Sequence, residues 1–168
     1  QARAAIAAGA ELHVVVLHRL VPPASALRAG PAATLAELRR LVSQPRRTEL
    51  DGVPITYVPY VSPGRPRHYG EWGKYAARPL HRALRALARE FPFELVHAHN
   101  AVPAADALAR RGLDVPLITS VHGGDVFFTA RQRPGWEQNV RRGLDASELV
   151  LANSSGIAAA CRALTSVP

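Results

Sequence analysis

The sequence predicts an α/β protein built on a doubly wound, mostly parallel sheet, and three observations carry that expectation. Short apolar runs alternate with stretches of helical spacing almost from end to end, as strands joined by crossover helices require. Leu12–Leu17 is a near-continuous apolar run, suited to a strand covered on both faces. Two further runs end in polar clusters, His97-Ala98-His99-Asn100 and His122-Gly123-Gly124-Asp125. In Rossmann-like sheets of this kind, ligands bind outside the carboxyl ends of the strands.

In chain order, Gln1–Ala8 reads as an alanine-rich helix closed by Gly9. Leu12–Leu17 is the first strand. His18 to Pro31 reads as loop, because Pro22-Pro23 bars a helix. Thr34–Val42 is a short helix with Leu35, Leu38, Leu41 and Val42 on one face. Gln44–Gly52 reads as a polar loop, and Ile55–Tyr60 as a strand rich in Thr, Tyr and Val. Val61–Gly70 is a loop by its proline and glycine. Trp72–Glu90 is a longer helix, with Leu80, Ala83, Leu84 and Leu87 as its apolar stripe and Arg78, Arg82, Arg85 and Arg89 opposite. Pro79 marks either a break or the true start of that helix.

The central unit follows. Glu94–His97 is a short strand that runs into the first polar cluster. Ala101–Arg111 has helical spacing and stops at Gly112, where a left-handed residue is wanted. Pro116–Val121 is the next strand and ends at the second cluster. Strand, helix and strand make a right-handed parallel crossover, which sets the two clusters on one rim, side by side if the strands pair. Phe127–Pro134 reads as loop, Gly135–Leu144 as helix and Glu148–Ala152 as the last strand. Asn153-Ser154-Ser155 then caps the helix Ile157–Leu164.

Composition narrows the class. The chain has 168 residues, 48% of them hydrophobic, which suits one globular domain with a real core. No apolar run approaches a membrane span, and the start carries no signal-peptide pattern. A single cysteine, Cys161, excludes an internal disulfide and fits a reducing compartment. Set in a helix of alanines with no base at a readable spacing, it reads as buried rather than nucleophilic. The net charge of +8 comes mainly from arginine, partly a codon bias toward Arg, Ala and Pro, and it favours anionic partners. Nucleic acid ranks last among these, since aromatic residues are 6% and no recognition motif is present. The sequence also lacks a G-x-G-x-x-G fingerprint, a phosphate-binding P-loop and a G-x-S-x-G elbow.

Chemistry concentrates in the two clusters. Gly123 and Gly124 let the backbone turn sharply and let a ligand approach bare N–H groups. His122 can donate to a hydroxyl or stabilise developing charge, and Asp125 can orient it or bind ligand hydroxyls. His97 and His99 would point to one face of a strand, and with His122 they make a set of three imidazoles that zinc accepts. The opposing view has His97 facing the core, bonded to backbone, with His99 and Asn100 lining a cleft. Asn153 and Ser154 serve as a cap or as a second cleft wall. The arginine stripe is a solvated face or a surface for an anionic membrane. The basic, aromatic segment Arg65-Pro66-Arg67-His68-Tyr69-Gly70-Glu71-Trp72 adds to that surface or shapes an acceptor pocket.

The string E-L-V-H-A-H, then P-L-I-T-S-V-H-G-G-D-V, then S-E-L-V-L-A-N-S resembles the N-terminal half of family-4, GT-B-type retaining glycosyltransferases. The likeness spans residues 1–168 and is sharpest at His122 to Asp125. It implies a single Rossmann-like, acceptor-side domain, one half of a GT-B architecture. The resemblance further implies that this domain would be truncated at its start, with the donor-binding C-terminal domain absent. By the same resemblance, His122 faces the transferred sugar as the catalytic residue. Gly123, Gly124, Asp125, His99, Asn100, Asn153 and Ser154 then contact substrate. Arg78, Arg82, Arg85 and Arg89 form a membrane or acceptor surface. The implied partners are a nucleotide-sugar donor and an acceptor sugar, lipid or small natural product, with no cofactor, no metal and no nucleic acid. The expected setting is bacterial and cytoplasmic, peripheral at the inner face of the membrane. Without the second domain and its paired glutamates, this segment should not turn over. Two readings stand beside this one: a non-catalytic α/β module that binds a small ligand, and a metal hydrolase built on His97, His99 and His122.

Overall fold

The computed structural model describes residues 2–168, and the chain gathers into two compact units, residues 1–61 and 62–168. Both are α/β with parallel strand pairing, as expected. The hydrogen-bonded ladders form two three-stranded sheets, one in each unit.

In the first unit, helix α1 (Ala2–Ala7) is closed by Gly9 at φ 88. Strand β1 (Val14–Arg19) pairs in parallel with β3 (Val53–Tyr60), with Val14 opposite Ile55. The stretch after Pro22-Pro23 is not all loop. Pro23 precedes a short helix, α2 (Ala24–Arg28), since proline is costly in a helix interior but tolerated at its start. Helix α3 (Pro31–Val42) buries Leu41 alone, while Leu35, Leu38 and Val42 stay exposed. The expected polar loop Gln44–Gly52 is instead a strand and a turn. Strand β2 (Arg47–Leu50) pairs antiparallel with β3, with Leu50 opposite Val53 across the two-residue turn Asp51-Gly52. Both turn residues have positive φ, 53 and 79, the geometry that Asp-Gly favours in a tight hairpin. All four residues of β2 are exposed, so its polarity disguised it as loop.

The second unit starts with helix α4 (Arg65–His68), continues as a 3₁₀ turn at Tyr69–Glu71, and enters helix α5 (Trp72–Leu87). The expected loop through Gly70 is therefore mostly helical. Pro79 neither breaks nor starts α5 but lies inside it. The helix persists because Gly73, Ala76, Ala77, Leu80, Leu84 and Leu87 bury one long stripe, which outweighs a missing backbone donor.

Strand β4 (Val96–His99) leads into a helical segment at Ala101–Ala105 and then α6 (Asp106–Ala109). The expected uninterrupted helix Ala101–Arg111 is kinked: Val102 is extended at φ −124, ψ 132, as a residue before proline prefers. Gly112 beyond it has φ 71, as expected. Strand β5 (Leu117–Val121) pairs in parallel with both β4 and β6 (Leu149–Ala152). Gly124–Thr129 and α7 (Ala130–Gln132) are helical turns where a loop was expected, and α8 (Pro134–Asp145) follows. Helix α9 (Ser155–Arg162) ends the described elements. The core of this unit joins Val102, Val121, Val126, Val140, Leu144, Ile157 and the free thiol of Cys161.

Candidate functional site

Strands β4 and β5 run parallel with His99 opposite Ser120, so the two polar clusters do share one rim. They are tied together by a single carboxylate. Asp125 Oδ2 accepts the backbone N–H of Ala101 at 2.8 Å, which joins the loop after β5 to the loop after β4. Asp125 is 2% exposed. Burial pushes its carboxyl up to about 6, opposed by the N–H groups of Ala101 and Val102 and by His122. The carboxylate thus holds backbone rather than orienting the imidazole of His122.

Local geometry explains the residue types. Gly123 sits at φ 94, and a side chain there would also crowd Ile157 and the Phe127 ring. Asn100 takes φ 78, ψ 142, a positive-φ conformation outside the left-handed helical well and costly for any side chain. Its N–H donates to Ser120 O at 2.9 Å. These fixed turns leave His122 and His99 exposed at the rim with their rings stacked, 6.0 Å apart and 6° from parallel.

His97 stacks on His99 at 4.7 Å, and its Nε2 bonds the Ser120 hydroxyl at 2.7 Å. The alternative of a core-facing His97 bonded to backbone is corrected: it is exposed, because alternate residues of β4 face away from the core that holds Ala98. Partial burial, and then the neighbouring imidazoles, lower the pKa of both His97 and His99, which favours their neutral forms. Stacked rings present faces rather than nitrogens to one another. Among the described residues no group of three or more His, Cys, Asp and Glu is set to hold a metal.

A cavity of about 450 Å³ opens beside this rim, lined by Asn100, Gly124 and Asp125 together with Arg65, Tyr69 and Trp136. His122, His99 and Gly123 are not in its lining, nor are Asn153 and Ser154. Ser154 is the cap of α9, its Oγ accepting from Ile157 N–H at 3.3 Å, while Asn153 lies exposed beside it. Arg78, Arg82 and Arg85 are exposed along α5, and Arg89 is exposed beyond the end of that helix.

The wall that α4 and the 3₁₀ turn supply is rigidly mounted. Asn139 Nδ2 donates to Gly70 O at 2.8 Å, and a side chain on Gly70 would strike the Trp136 ring. Asn139 Oδ1 in turn accepts from Arg110 and Arg142, which also bind the fully buried Asp106 at 2.9 and 2.7 Å. Tyr69 donates to Val102 O at 3.1 Å. Burial raises the Tyr69 phenol, and the Asp125 charge adds to that while Arg65 opposes it. The segment Arg65 to Trp72 was legible as a pocket former from its arginines and aromatics. Phe128 and Trp136 were not, since the first fell in an assumed loop; the adjacent Phe127-Phe128 pair was the signal available.

The sequence profile of Glycosyltransferase Family 4 matches residues 1–168. No curated protein sequence matches the chain significantly. Among the described residues no helix is long and apolar enough to cross a membrane.

Proposed function

Because the chain belongs to glycosyltransferase family 4, we propose that it is the acceptor-side half of a retaining GT-B enzyme that moves a sugar from a nucleotide-sugar to an acceptor hydroxyl. The observation that carries this reading is the joint rim: two strand-end loops, cross-tied by Asp125 and Ala101, beside an open cavity. In the reaction, the bond from the anomeric carbon to the nucleotide phosphate breaks. A bond to the acceptor oxygen forms on the same face, and the acceptor proton leaves with the nucleotide. In this reading His122 meets the transferred sugar, supported by its exposure at the rim on a loop held by Gly123 and Asp125. Its imidazole donates to a sugar hydroxyl or stabilises charge that develops during transfer. Asp125 acts as a scaffold rather than a base.

A nucleotide-sugar screen of hydrolysis and transfer on the full-length protein, wild type beside His122→Ala, tests this. One donor should be turned over, and the substitution should lower kcat by about 100-fold or more with nucleotide binding intact. If no donor is hydrolysed or bound, a non-catalytic binding module takes precedence. The exposed arginines of α5, with Arg89, favour a peripheral position at an anionic, cytoplasmic leaflet. Co-sedimentation with anionic vesicles should fall when Arg78, Arg82 and Arg85 are all changed to Ala. Equal sedimentation would return the stripe to an ordinary solvated face.

A further inference from the structure

The cavity beside the rim holds cationic and aromatic groups that the transfer step does not use. The Arg65 guanidinium, itself in the lining, lies 4.8 Å over the centroid of Tyr69; that of Arg133, which is not in the lining, lies 5.2 Å over Trp136, both rings being cavity walls. Neither arginine has a carboxylate partner among the described residues. A guanidinium resting on a ring face keeps the N–H fork along its edge free for a carboxylate or phosphate. The indole N–H of Trp136 is buried without an acceptor. Such an orphan donor is a cost that a ligand oxygen or an ordered water removes. The one acid in the lining, Asp125, is committed to the backbone N–H of Ala101. Phe128, 68% exposed, adds an apolar wall, and Gln132 and Asn100 add amides. The volume falls within the range of small-molecule pockets.

We propose that this cavity is the acceptor pocket and that it selects a ring-bearing acceptor with an anionic phosphate or carboxylate group. Arg65 binds the anion, Arg133 adds positive charge from outside the lining, Tyr69, Phe128 and Trp136 take the ring, and the amides meet its hydroxyls. The acceptor role rests on the glycosyltransferase reading; the anion selectivity rests on the cavity alone. Phosphate on a soluble sugar and phosphate in a lipid headgroup share this chemistry.

The test is calorimetric binding of glucose 6-phosphate and of glucose to the full-length protein, for wild type, Arg65→Ala, Arg65→Lys and Arg133→Ala. Glucose 6-phosphate should bind at least about tenfold tighter than glucose, the range for hydrogen bonds to a charged group. Arg65→Ala should remove most of that preference with the melting temperature unchanged, and Arg65→Lys should keep part of it. Displacement of glucose 6-phosphate by phosphatidylglycerol vesicles, but not by phosphatidylcholine vesicles, would support the anion and place it in a lipid headgroup; no displacement by either would support a soluble acceptor. Equal affinity for the two sugars, binding of neither, or a preference that survives both arginine-to-alanine changes overturns the proposal. So does displacement by a nucleoside diphosphate through Arg65, which would give the cavity to the donor. Donor turnover without phosphate preference would sink this inference alone. Phosphate-selective binding without turnover of any donor would sink the transferase reading and spare the anion site.

Discussion

Residues 1–61 and 62–168 each build a three-stranded sheet with parallel pairing, yet they bury different amounts of apolar side chain. In the second unit Val121, Val140 and Leu144 are fully buried, at 0%. In the first, every residue of β1 is only half-buried, and α3 exposes Leu35, Leu38 and Val42. The candidate site lies wholly on the unit with the closed core. The difference teaches why. The loop His122–Asp125 carries a buried carboxylate, and such a group is held in place only where packed side chains over-determine its surroundings.

The largest expected effect separates the two cores directly. Leu144→Ala should destabilise by about 3 kcal/mol, the cost of a buried leucine and its cavity. Leu38→Ala on α3 should stay within about 0.5 kcal/mol, as an exposed substitution does. Urea melts of both variants read the contrast, and similar losses would erase it.

A smaller effect is read by pH. The folded Asp125 carboxyl stands at about 6, above its value in the unfolded chain. Its contribution is therefore complete below about pH 4 and is lost as pH rises through about 6, on the order of 3 kcal/mol. Asp125→Asn keeps an oxygen for Ala101 N–H and removes the ionisation. Stability measured from pH 4 to 8 should lose that downward slope in the variant. A slope unchanged by the substitution would assign it to other groups.

The smallest effect falls in the first unit. Gly52→Ala in the Asp51-Gly52 turn should cost about 1 kcal/mol, because φ 79 strains a side chain even where there is room for one. A melting temperature equal to wild type would mean that the hairpin tolerates another turn.

Much of this was legible before any coordinates. The paired clusters at β4 and β5, the left-handed glycines at 9 and 112, and the buried Cys161 all follow from local pattern. The β2 strand was missed because its four residues are exposed on a sheet edge and show no apolar alternation. The helical turns from Gly124 to Gln132 were missed because burial of Val126 and Ala130, rather than any local signal, holds them. Asp125 was read as a partner for His122, since spacing along a chain cannot reveal a backbone N–H from another loop.

By itself, the sequence determined the α/β class, the family, and the two loops that share a rim, because periodicity, turn chemistry and motif order are local properties. Only the tertiary structure decided what fills and frames the site. Trp136 lies 36 residues beyond Asn100 in the chain, yet both line one cavity with Arg65 and Tyr69. The mount of that wall, from Asp106 through Asn139 to Gly70, joins three separate segments by hydrogen bonds. Such contacts are set by how helices pack on a sheet, and side-chain packing of that kind has no period to read.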